Sequence, residues 1–115
     1  MYRQKFGRGL VAALLLGATM LPSAAYAGDE DRARAAVASA KAKIETGDKM
    51  GVGADAADIQ ARARAAYEGA QRQIKDDDED SAYHGAQEAI ALADLAIATS
   101  ELKKLTAERD RLAAR

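Results

Sequence analysis

The sequence predicts an all-α protein, a three-helix hairpin or bundle whose long C-terminal helix has coiled-coil character. Three observations carry that expectation. From residue 28 onward the chain holds 24 alanines and no Pro, Phe or Trp, and alanine enters a helix without losing side-chain rotamer entropy. No stretch alternates apolar and polar residues at period two, and the β-branched residues stand apart from one another, so strands have no pattern to build on. Two interruptions divide this helical composition, the glycine-rich segment Gly47–Gly53 and the acidic run Asp76–Asp80.

An export signal comes first. Arg3, Lys5 and Arg8 form a basic head, Gly9–Leu21 is uncharged and largely apolar, and Pro22 with small residues leads to Ala25-Tyr26-Ala27. Small side chains at Ala25 and Ala27 fit the two shallow pockets of a signal peptidase, which places cleavage before Gly28. The competing reading is an uncleaved anchor. A spanning helix needs roughly 20 apolar residues; Gly9–Leu21 is shorter, and Pro22 and Ser23 interrupt it. Without a cysteine there is no lipoprotein signal, and without paired arginines the general secretory route is expected. The expected location is the bacterial periplasm.

Cleavage leaves 88 of the 115 residues, one small domain. The three signal charges are all basic, so 14 basic residues then face 18 acidic ones, a formal net charge of −4. That balance opposes nucleic acid as a partner, because phosphate neutralisation needs clustered Lys and Arg. It equally opposes a polybasic contact with anionic lipid. With no cysteine, disulfides and zinc–thiolate sites are excluded.

The first helix is expected over 29–46. Asp29 would cap it, Glu30 and Asp31 suit its positive first turn, and Ala33, Ala36, Val37, Ala40 and Ile44 form its inner face. Gly47 is the expected stop, opening a loop to Gly53. The second helix is expected over 54–75, with Ile59, Ala63, Ala66, Ala70 and Ile74 inward and Asp58–Arg62, Arg64–Glu68 and Glu68–Arg72 paired on the wet side. Asp76–Asp80 suits the positive start of a following helix better than the negative end of a preceding one. It should therefore end the second helix and cap the third through Asp78 or Asp80.

The third helix is expected over 81–113. Its first half carries a small-residue stripe, Ala82, Ala86, Ala89, Ala93, Ala96 and Ser100, which lets another helix approach near the lower end of the usual spacing of about 8–10 Å. Further on, Ala91, Leu95, Ala98, Leu102, Leu105, Arg109 and Leu112 follow a seven-residue repeat, interrupted by Arg109. Either these leucines pack on the first two helices, or Leu95, Leu102, Leu105 and Leu112 form a seam for another chain. A domain this short and poor in large apolar residues is marginal alone, which favours the seam.

Catalytic chemistry finds no constellation. The single histidine, His84, shares a helix face with Asp80 and Glu88, which at most suggests a weak divalent-metal stripe; a solvated face is the plainer reading. In a calcium loop starting at Asp76, the sixth position would be Ser81 where glycine is required, and the twelfth Gln87 where glutamate is required. Gly51-Val52-Gly53 lacks the surroundings of a phosphate loop. Ser39, Ser81 and Ser100 have no histidine at a suggestive position. Tyr67 and Tyr83 are placed to meet where the second and third helices face each other. No enzyme activity, cofactor or metal is expected.

The stretch Ala61-Arg62-Ala63-Arg64-Ala65-Ala66-Tyr67-Glu68-Gly69-Ala70, then Ile74, the acidic turn, and Ser81-Ala82-Tyr83-His84-Gly85-Ala86-Gln87-Glu88-Ala89 continuing into Ala93-Asp94-Leu95-Ala96 resembles an alanine-rich family of exported bacterial helical proteins of unknown function. Members of that family are often lipoproteins or are fused to OmpA-like peptidoglycan-binding domains. The resemblance implies an all-helical envelope protein. This sequence has no lipidation cysteine and shows no such domain before Arg115, so neither lipid attachment nor peptidoglycan binding carries over. The functional expectation is a non-catalytic structural or adaptor module of the envelope, acting through helix–helix contact with a protein partner or with itself. The alternative is a periplasmic chaperone-like holder of unfolded or membrane-bound clients.

Overall fold

The acidic residues Asp29, Glu30 and Asp31 occupy the first turn of a helix that starts one residue earlier than expected, where the unpaired N–H groups favour negative charge. The computed structural model describes residues 28–115; the expected signal segment, with Ala25 and Ala27, lies outside them. Over the described residues the chain forms α1 (Gly28–Lys49), α2 (Val52–Asp55), α3 (Ala57–Lys75) and α4 (Glu79–Ala113), with no strand among them. The fold is all-α, and its long C-terminal helix packs against both α1 and α3.

The two breaks fall where composition places them but are built differently. Gly47 does not stop α1. It is a buried helical residue, and a Cβ there would stand 3.0 Å from Gln60 Nε2 and 3.2 Å from Val52 Cγ2. The helix runs on to Lys49 and is closed by Gly51, whose φ of 78° is left-handed and whose N–H donates to the Asp48 carbonyl at 3.1 Å. Glycine adopts that conformation without a Cβ penalty. The expected loop then holds the single turn α2, and the second long helix starts at Ala57 rather than Ala54 because Ala56 (φ −140°, ψ 41°) leaves the helical region.

The acidic break is a paired cap. Asp77 sits at φ 57°, the Asp77 N–H donates to Ile74 O and the Asp78 N–H to Gln73 O, at 3.2 and 2.9 Å. This is the Schellman ending of a helix with Asp in glycine's usual place. Asp78 then caps α4, its Oδ1 accepting from the Ser81 N–H at 3.2 Å. Helix α4 therefore begins at Glu79, not Ser81, with Glu79 and Asp80 in its first turn.

The core is made of methyl groups. All six residues of the small-residue stripe on α4 are buried, as are Ala33, Ala36, Ala40 and Ile44 of α1 and Ala63 and Ala70 of α3. Ile59, Ala66, Ile74 and Val37 are half-buried at the margins. Helices α3 and α4 come close at Gly85, where a Cβ would lie 3.2 Å from Gln73 Oε1 and 3.4 Å from the Ala70 Cβ. Small side chains stabilise by letting helices touch: each methyl contributes little transfer energy, and close backbones add many dispersion contacts.

Candidate functional site

Helix α4 changes the side on which it is apolar. Up to Ser100 its buried stripe faces α1 and α3. At about 100° per residue, the row through Ala91, Leu95, Ala98, Leu102, Leu105 and Leu112 lies on the opposite side of the helix. Leu95, Leu102, Leu105 and Leu112 are 50, 65, 69 and 54 % exposed. Among the described residues nothing covers them, against the expectation that they pack on α1 and α3.

Past Ser100 the inward side of α4 is polar. Lys103 Nζ donates to the Asp55 carbonyl and Lys104 Nζ to the Met50 carbonyl at 3.0 Å. The two lysines thereby satisfy carbonyls left free around α2. Ser100, 1 % exposed, donates through Oγ to Asp55 Oδ2 at 2.9 Å. These bonds pin the root of the tail to the α2 corner, while every residue from Glu101 to Arg115 is exposed. Helix 101–113 thus extends for about 20 Å with its leucines in water.

A second cluster joins α1 to α3. Gln60, 3 % exposed, donates through Nε2 to Ile44 O and to Asp48 Oδ1, both at 3.0 Å, and Arg64 pairs with the same carboxylate. The Gln60 hydrogen bond, seconded by Arg64, holds the Asp48 carboxyl below its usual value against the opposing effect of burial. Arg64 reaches Asp48, which Gln60 also holds, across the helices instead of Glu68 along α3. Neither Gln60 nor Asp48 was marked by spacing or motif. Burial of the amide and its place opposite the end of α1 come from the packing of the helices, and no sequence signal singles it out.

Tyr67 and Tyr83 do not meet. Tyr83 lies under the Arg32 guanidinium, 4.1 Å from Cζ to the ring centroid, and edge-on to His84, whereas the Tyr67 hydroxyl accepts from Gln71 at 2.8 Å. His84, Asp80 and Glu88 are exposed, and among the described residues no three His, Cys, Asp or Glu side chains converge as metal ligands. Among the described residues, a hollow of about 320 Å³ lies beside Asp55, Asp58 and Lys103, and a second of about 160 Å³ beside Lys41, Asp48 and Arg64. In the second the charges answer one another, Lys41 to Glu45 and Arg64 to Asp48.

The chain matches no protein-family model, curated protein or solved structure. No described helix is long and apolar enough to cross a membrane. Four of the five exposed large apolar side chains among the described residues stand in the leucine row, Met50 being the fifth, and contiguous exposed apolar surface is a feature of interaction sites.

Proposed function

We propose that this protein is an exported, non-catalytic structural or adaptor component of the bacterial envelope. It works by helix–helix contact through Leu95, Leu102, Leu105 and Leu112. The carrying observation is the apolar row on the outer side of α4, opposite the face that the fold itself uses. A helix whose inner face is already satisfied gains nothing within its own chain from leucines at seven-residue spacing on its outer face. A partner helix gives them knobs-into-holes burial.

Support for the location comes from the basic head, apolar stretch and Ala25-Tyr26-Ala27 boundary, and from the resemblance to exported alanine-rich helical proteins. On this reading the exported domain begins at Gly28.

The test is photo-cross-linking in intact cells from a photoreactive residue at position 105. A discrete adduct, abolished by Leu102→Asp while the protein stays folded and exported, is the expected result. A folded, exported protein that gives no adduct from position 105 or 112 overturns the reading.

A further inference from the structure

We propose that the partner covering this seam is a second copy of the same chain, with the two α4 tails parallel and in register at Arg109; this rests on the helix-contact reading above. The argument is the charge on the two flanks of the seam. With Leu95, Leu102 and Arg109 at the a positions, Ala98, Leu105 and Leu112 fall at d. The g flank is then Asp94, Glu101 and Glu108, and the e flank is Thr99, Thr106 and Ala113. One flank is wholly acidic and the other carries no charge.

That asymmetry selects an orientation. Two parallel helices set the g flank of each against the e flank of the other, so Glu101 meets the second copy's Thr106 and Glu108 its Ala113. Carboxylates then face a hydroxyl or a methyl. Two antiparallel helices set g against g, bringing Glu101 and Glu108 of one copy against the same acids of the other, a like-charge contact that costs stability. Asp94 is already engaged with Lys43 at 2.6 Å, so Glu101 and Glu108 decide the matter.

Arg109 then explains itself. A single charged residue at an a position lowers stability but fixes register and the number of strands. In parallel register, each guanidinium lies beside the second copy's Glu108 on the adjoining g position, giving two symmetric ion pairs. In the single chain, Arg109 holds Asp110 at 3.0 Å and Glu108 is held by Arg111. Both pairs are more than two-fifths exposed at every side chain, so they exchange readily for pairs across a seam. In antiparallel pairing Arg109 would face a d residue with no carboxylate partner.

The experiment uses the protein produced from its full sequence. Light scattering over a concentration series is expected to show a shift from one chain to two, lost in the Leu102→Asp, Leu105→Asp variant. The chain has no cysteine, so Ala98→Cys introduces a lone thiol at a d position. Oxidised with diamide, Ala98→Cys links to itself in a parallel pair. Glu108→Lys should weaken the dimer at least tenfold, and adding Arg109→Glu to it should restore the affinity. Dimers in which Ala98→Cys links to Arg109→Cys but not to itself are antiparallel and overturn the proposal, leaving the helix-contact reading intact. A monomer at every concentration that still cross-links from position 105 to a different chain does the same. A monomer that gives no adduct anywhere overturns both.

Discussion

Gln60 joins α1 to α3 in a way that no apolar side chain could. Its amide nitrogen bridges a main-chain carbonyl and the Asp48 carboxylate beneath Gly47, where a larger residue would collide with it. Replacing it with Gln60→Glu exchanges a donor for a carboxylate facing two acceptors. The expected loss is about 1–3 kcal/mol at pH 7, seen as a lower Tm and partly recovered as acid protonates the new group. Asp48 gives the complementary test. Its carboxyl is held low by Gln60 and then Arg64, so its contribution is fully present above the ordinary carboxylate value of about 3.9. The contribution fades as pH falls through the lowered folded value. Asp48→Asn should therefore melt below wild type at pH 7, with the gap narrowing below about pH 4; a gap constant from pH 7 to pH 2 would refute the assignment. None of this was legible in the sequence, because a buried amide and a packed glycine acquire meaning only from the opposing helix. Gly47 looked like a stop and is a contact.

At the scale of the elements, pattern was a better guide. The stripe from Ala82 to Ser100 is buried at every position, because three- and four-residue spacing is a property of one helix and needs no knowledge of its neighbours. Helix ends depend on more distant bonds, which is why α1 outruns Gly47 and α3 starts late. The close approach of α3 and α4 sets a limit on that stripe. Ala89→Leu would push extra methylenes between packed backbones and should lower stability by about 1–3 kcal/mol, measurable by urea unfolding. The acidic turn allows the opposite change. Asp77 occupies left-handed backbone at φ 57° and places a carboxylate at the negative end of α3. Asp77→Gly removes both penalties and should raise stability by about 1 kcal/mol, whereas Asp78→Ala, which deletes the α4 cap, should lower it by a similar amount.

For the whole molecule, the central question is what holds the last fifteen residues in a helix. From Glu101 to Arg115 every residue is exposed, and an isolated helix shorter than about 12–15 residues is marginal in water. Two things oppose fraying: continuity with the buried part of α4, and the lysine bonds at Met50 and Asp55. Those bonds act only on the first turn of the tail. Amide hydrogens near Thr106 to Arg111 should therefore exchange close to the unprotected rate in dilute protein, while those of the buried stripe exchange only through global unfolding. Pairing through the leucines reverses this for the tail alone. Raising the protein concentration should slow exchange in 105–113 by at least tenfold and leave the Ala86–Ala96 amides unchanged, an effect absent from Leu102→Asp, Leu105→Asp. Tail protection that is independent of concentration and indifferent to that substitution would mean the helix is held from within its own chain. The outward leucines would then have no structural part in it.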